Sequence, residues 1–562
     1  MIGTFAGHHI PYRPVGNPGS DQTLGVIGHW IKTCDENHPK CQYTISGMPI
    51  ELTPKLPTRV LDVGSCEDNI RLLVTGNQQA KYIALSHCWG GISQIRTTNS
   101  SLEEHIRYIN FNNLSKTIQD AIYLTRNLGI QYLWVDSLCI IQYDERDWLE
   151  EARKMAYIYE RAYCTIAATS ASDGTEGCLI PRPPQDLVKV QCQQGDARSG
   201  HMYFGIKDDS AVHRMFEGPL NNRAWVLQEH LHSRRTIHFA SDQVYWECEK
   251  KFVAEDGSDA RGHVDVKTIP TRSLFCYVLH GYLGPERIPD VLFARRVADD
   301  FTEPRDFHSI WAQIIKYYTR CGLTESSDKL PAILSLSNEL QELTGHEYHE
   351  GHWFDGTPFV FSSLLWRAGK DNTLRKPPRY RAPSWSWAAL DGPLDFADLT
   401  MWYIDLFHPR TTDLHILRVG SYHPVGMPPC KALLLSGHLI RGFGCTTGVK
   451  KSNIQARGSS DCGECEAGRL GNSATVFSEY GKEIRGSFQY DLSHATPSNF
   501  WLLPFYVRFI RKGLSEPVYF ALIVSEVPNQ KFYGYVFQRI GIGHIDDPMW
   551  ANGYPRRFLA LI

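Results

Sequence analysis

Three ordered segments constrain the fold of this chain more than anything else in it. They are Tyr82-Ile-Ala-Leu-Ser-His-Cys-Trp-Gly90, Leu133-Trp-Val-Asp-Ser-Leu-Cys-Ile140 and Arg223-Ala-Trp-Val-Leu-Gln-Glu229. The first two are continuous apolar runs that close on small or polar residues. That is the pattern of strands buried on both faces of a sheet. The third predicts a helix that carries the carboxylate of Glu229 one turn after Trp225. Strands that stop at a polar crevice, with one glutamate aimed at it, suit either chemistry or a stiff signalling module.

The surrounding pattern alternates strands and helices. Strands are expected at 59–63, 82–86, 132–141, 164–169, 236–240 and 244–248. Helices are expected between them. In 115–128, Ser115 can cap the start and Gly129 sits at the stop. In 147–162 a stripe of Trp148, Ala152, Met155, Tyr159 and Ala162 recurs at helical spacing, with Asp147 and Glu150 as a capping box. A third helix covers 222–230. The alternation predicts an α/β domain over 57–250, with a mostly parallel sheet and helices on both faces. Residues 1–56 read as an irregular leader with a short helix at 25–32. Residues 251–562 read as a larger α+β region, with a helix at 307–321, strands at 517–527 and 532–540, and a polar Gly/Ser-rich loop at 449–474 expected to be disordered.

Composition narrows the function classes. A chain of 562 residues exceeds one core and implies two to four domains. The net charge of −3, without long basic runs, argues against nucleic acid as a partner. No apolar run approaches the roughly 20 residues of a membrane helix, and the first residues lack the pattern of a signal peptide. The 15 cysteines are odd in number and many sit inside apolar strand patterns, which suits reduced thiols. A soluble, cytoplasmic protein is expected.

The ordered segments resemble the heterokaryon incompatibility (HET) domain of filamentous fungi. The resemblance rests on 82–90, on 133–142 with Asp147-Trp148 and Tyr159, on 165–173 with Gly177, and on 223–229 with Trp246-Glu-Cys248. Two flanking stretches look like those of proteins that carry the domain: Trp30-x3-Cys34-x3-His38-x2-Cys41 and Ala382-Pro-Ser-Trp-Ser-Trp-Ala388. The HET domain is in turn similar to Toll/interleukin-1 receptor (TIR) domains, which implies a flavodoxin-like fold. Trp225-x3-Glu229 matches the spacing of the TIR signature, whose glutamate is catalytic in the members that cleave NAD. The stretch 178–220 is longer than in a compact TIR domain. The resemblance implies fungal non-self recognition, growth arrest or cell death, and NAD(P) cleavage by assembled subunits. It implies no bound cofactor, with NAD(P) as substrate, a homo-oligomer on activation, and a protein partner met through 251–562. The same resemblance admits a non-enzymatic interaction module.

Candidate residues follow from both readings. Glu229 is the first catalytic candidate, since a carboxylate beside the sugar stabilises the cation-like transition state of glycosidic cleavage. Glu151, set between Trp148 and Met155, is the second. A bound dinucleotide would meet Ser86, Trp89 and Gly90 after the first strand, Asp136 and Ser137 after the second, and Arg223 and Trp225 on the helix. For each, a structural role competes: a tight turn, a capped loop or an ion pair. His87 and Cys88 are neighbours on a strand and point to opposite faces, so they do not form a nucleophile–base pair. Cys34, His38 and Cys41, with Cys66 as a guessed fourth, have the ligand types of a zinc site in an unusual spacing. Cys462 and Cys465 form a single pair without a counterpart.

Overall fold

The computed structural model describes residues 15–64, 70–90, 95–182, 188–194, 198–204, 215–258, 307–354, 363–369, 374–396, 402–404, 414–446, 474–478, 483–492, 499–507, 509–511, 518–528, 530, 534–545 and 554–562. Cys66, Cys462, Cys465 and all of the polar loop except its last residue, Ala474, lie outside the described residues. The chain divides into two compact units. The first holds residues 1–304 together with 321–323 and 331–339; the second holds 305–320, 324–330 and 340–562. Among the described residues no helix is long and apolar enough to cross a membrane.

The first unit is built on an eight-stranded sheet. Its strands are β1 (Arg59–Asp62), β2 (Arg71–Val74), β3 (Tyr82–Ser86), β4 (Tyr132–Trp134) and β5 (Cys164–Ala167). After a separate hairpin, β6 (Val188–Gln194) and β7 (Arg198–Phe204), come β8 (Arg235–Phe239), β9 (Val244–Cys248) and β10 (Phe252–Ala254). The sheet order is β10-β9-β8-β5-β3-β4-β1-β2. Only the middle is parallel: β4 with β3, β3 with β5, and β5 with β8. Antiparallel strands extend both edges, through β1 on β4 and β9 on β8. The sheet is therefore mixed, not mostly parallel as the alternation predicts. Hairpin neighbours such as Arg235–Phe239 and Val244–Cys248 are joined by four intervening residues. That is too short for the crossover a parallel pair requires.

The four parallel strands, taken in chain order, lie 2-1-3-4. That is the doubly wound arrangement whose ligand crevice opens at the carboxyl ends of the strands where the order reverses, here between β3 and β5.

The helices are α1 (Asp21–Asn37), α2 (Leu102–Arg107), α3 (Lys116–Asn127), α4 (Asp136–Cys139), α5 (Glu145–Arg161) and α6 (Ala224–His232). Side chains of α1, α3 and α5 join the sheet in one core, among them Trp30, Ile118, Ile122, Met155 and Tyr159. The leader is thus not irregular over 21–37. Ser20 caps α1 by accepting from the Thr23 amide at 3.3 Å, and the buried stripe runs Thr23, Val26, Ile27, Trp30, Ile31 and Cys34. Gly25 and Gly28 lie on its exposed face, outside the buried stripe. Two further boundaries differ from expectation. Strand β4 stops at Trp134, since Val135 leads into the helical turn α4. Helix α5 is capped by Asp144, which accepts from the Arg146 and Asp147 amides at 3.1 Å, not by an Asp147–Glu150 box. Asp147 instead grips the Arg59 guanidinium at 2.6 Å.

The second unit is rich in sheet. Six strands, Ile440–Thr446, Ala474–Ser478, Glu483–Tyr490, Asn499–Val507, Val518–Glu526 and Tyr535–Ile545, pair into a closed antiparallel ring. Closure leaves no edge among them. Arg556–Leu561, Cys430–His438 and His415–Tyr422 extend it from Tyr535–Ile545 outward. The helix Phe307–Tyr318 matches the expected helix to within three residues.

Candidate functional site

The carboxyl end of β3 is where the sequence candidates meet. Ser86 is the last residue of β3 and is buried; its hydroxyl donates to Glu229 Oε2 at 2.5 Å. Glu229 comes from the second turn of α6 and is only 6% exposed. Tyr159, from the buried stripe of α5, sets its hydroxyl between the Leu85 carbonyl, 3.2 Å away, and the Glu229 carboxylate. Burial raises the Glu229 pKa to about 7 and the charge of Asp136 adds to this; the Ser86 bond, Arg223 and Tyr159 pull the other way. A carboxylic acid balanced near neutrality can hold or release a proton at physiological pH.

Around this acid the remaining residues form a linked shell. Asp136 opens α4, where its Oδ1 accepts from the Ser137 amide at 2.7 Å. The Trp89 indole N–H donates to both Asp136 oxygens, at 3.0 and 2.9 Å. His87 Nδ1 stands 3.8 Å from Asp136 Oδ1. Arg223, just before α6, donates to the His87 carbonyl and bridges the strand end to the helix. The Arg96 guanidinium lies over the Trp89 ring at 5.1 Å. Trp225 packs edge-on against Trp148 of α5, with ring centres 5.9 Å apart. Ser137 is fully buried, and its carbonyl accepts from the Thr97 amide at 3.1 Å. Gly90 has φ +71°, and a Cβ there would stand 2.2 Å from Asp173 Cβ. Glycine is required at that turn by both conformation and space.

Glu151 is not part of this shell. It is buried elsewhere on α5, where Thr58 donates to it at 2.7 Å and Lys154 at 2.9 Å. The ion pair with Lys154 engages its Oε1.

Helix α6 is also held from behind. The Ala224 amide donates to the Gly322 carbonyl at 2.9 Å, Ser335 Oγ to Gln228 Oε1 at 2.5 Å, and His232 Nδ1 stands 3.1 Å from Glu339. On its other flank His230 and His238 Nε2 approach Glu247 Oε2 at 2.6 and 3.0 Å. The two histidines hold the Glu247 carboxyl well below the usual range although it is buried.

The remaining candidates lie on another part of the same unit. Cys34, His38 and Cys41 come together, and the fourth member of the group is Cys248. Sequence reasoning missed Cys248 because it is more than two hundred residues from the others. It missed Tyr159 as a site residue because the hydroxyl sits in an apolar stripe. A buried tyrosine must place its hydroxyl somewhere, and that is the signal. An open cavity of about 890 Å³ lies beside the residues that lead into β4, lined by Asp62, Arg71, Arg107 and Arg126 among others. It is not adjacent to Glu229.

Among curated proteins and among solved structures, none matches this chain. One family model does, from the first residue of β3 to the glutamate of α6. Residues 82–229 match the model described as Heterokaryon incompatibility protein (HET), and this part of the chain is a HET domain.

Proposed function

We propose that this protein acts in fungal heterokaryon incompatibility as a cell-death effector that cleaves the N-glycosidic bond of NAD(P) once subunits assemble. The HET domain carries the first part of the reading. The observation that carries the second is the Glu229 carboxyl, held at a parallel-strand crevice with a pKa of about 7. In the reaction the ribose–nicotinamide C–N bond breaks and its electron pair leaves with nicotinamide. Ionised Glu229 stabilises the sugar cation, and water adds to give ADP-ribose and a released proton. Ser86 and Tyr159 fix the carboxylate. Arg223 faces the dinucleotide phosphates, and Trp89, Gly90, Asp136, Ser137 and Trp225 form the walls. Glu229 is covered in the single chain, so assembly must open the crevice. TIR-like assembly of this kind makes activity negligible in the monomer.

The burial of Glu229 favours a second reading, in which the same fold recruits partners without chemistry and the Ser86–Glu229 bond is structural. In both readings residues 251–562 receive the triggering partner. Nicotinamide release, followed across a wide range of protein concentration, separates them. Release that rises steeply with concentration, increases through pH 7, and vanishes in a folded Glu229→Gln variant supports the hydrolase. No release at any concentration supports the interaction module.

A further inference from the structure

We propose that Cys34, His38, Cys41 and Cys248 bind one structural zinc ion that staples the amino-terminal helix to the end of β9. Cys34 lies in the last turn of α1, His38 is its C-cap residue, Cys41 sits in the 3-10 turn Pro39–Gln42, and Cys248 ends β9. All four side chains are buried, and their ligand atoms lie within 4.8 Å of one another. His38 Nδ1 faces Cys248 Sγ at 3.4 Å. None of the three thiols is in a disulfide. Three sulfurs and one imidazole nitrogen converging on one point are the ligand set of a closed tetrahedral zinc site, in which Zn–S distances of about 2.3 Å place sulfurs roughly 3.8 Å apart.

Neither a disulfide nor simple thiol packing accounts for the cluster. A disulfide uses two of the sulfurs and strands the third. Thiols are poor hydrogen-bond donors, so three of them gain little by facing one another away from water. The surroundings instead suit an anionic metal complex. Three thiolates and a neutral imidazole around Zn²⁺ leave one net negative charge. Arg235, whose side chain is fully buried, stands beside the group and pairs with Asp35 at 2.7 Å. Arg234 donates to the Cys41 carbonyl at 3.0 Å, and the Lys251 amide donates to Cys248 Sγ at 3.3 Å. Backbone N–H groups and cations around ligand sulfurs orient and neutralise such sites. Four protein ligands leave no open position, so the ion is structural, not catalytic. It closes a chain loop of more than two hundred residues, and its binding energy is folding energy.

The test is metal analysis of the full-length protein, purified under reducing conditions without chelator. About one zinc per chain is expected. A thiol-blocking mercurial should release it in step with loss of free thiols. Cys248→Ser and His38→Ala should lower zinc content at least about tenfold, whereas His38→Cys and Cys66→Ser should keep it. Should Cys248→Ser fail to fold, Co²⁺ substitution in the wild-type protein decides: tetrahedral thiolate coordination gives intense visible and sulfur-to-cobalt bands. The proposal is overturned if folded protein stays far below stoichiometric zinc after zinc is supplied, if Cys248→Ser retains the ion, or if two of these cysteines are found as a disulfide.

Discussion

Glu229 carries two opposed demands. Burial favours its neutral form, while Ser86, Tyr159 and Arg223 favour the anion, and burial wins by enough to hold the pKa at about 7. A folded-state pKa above the unfolded value means the stabilising contribution is complete below about pH 4.5 and is lost as pH rises through about 7. Urea unfolding should therefore show wild type losing on the order of 3 kcal/mol relative to Glu229→Gln between pH 4.5 and pH 8. Equal pH slopes for the two proteins would mean that the carboxyl ionises freely. The lone carboxylate one turn beyond Trp225 was legible in the sequence as a candidate. Its environment was not, because Ser86 and Tyr159 reach it from positions 143 and 70 residues away. Glu151 shows the opposite case. Its flanking Trp148 and Met155 correctly implied burial, and the neighbouring Lys154 pairs with its Oε1.

At the level of elements, the strands were easier to read than their partners. The mostly apolar runs of β3 and β5 mark parallel neighbours, and each is buried along its whole length. The antiparallel edges were hidden because β8 and β9 are equally buried and show no alternation. Helix α5 illustrates a limit of capping rules. Asp144 and Asp147 both precede apolar stripe residues, and only tertiary packing, through Arg59, decides which caps the helix. The turn after β3 yields a firm prediction. Gly90→Ala meets both the positive φ and Asp173, so it should cost about 2–3 kcal/mol in chemical denaturation. Adding Asp173→Gly should recover part of that loss, through relief of the clash but not of the backbone strain. Strict additivity of the two changes would show that the turn relaxes away from Asp173. In the second unit the Ser-Trp-Ser-Trp signature acts as packing. Trp385 and Trp387 are buried, the Trp387 indole donates to the Gly351 carbonyl at 2.8 Å, and Ser386 donates to the Glu350 carbonyl at 2.5 Å.

At the scale of the molecule, the chain leaves the first unit and returns to it through 321–323 and 331–339. Composition and periodicity carry no trace of such a return, since it depends on contacts between segments about a hundred residues apart. Its energetic share can be read in the intact protein. Ser335→Ala removes the partner of buried Gln228 and should destabilise the first unit by about 1–2 kcal/mol. Fluorescence-detected urea unfolding would reveal it, and an unchanged midpoint would mean that water replaces the serine. The returning segments also bear on inheritance. The residues matched by the HET family end at Glu229, yet the helix that presents Glu229 rests on Gly322, Ser335 and Glu339. Recombination between related genes downstream of the matched region would leave the matched residues intact and still change the seat of that helix. Chimaeras that exchange only their distal halves would then differ in how firmly α6 is seated, although no residue of the matched domain differs between them.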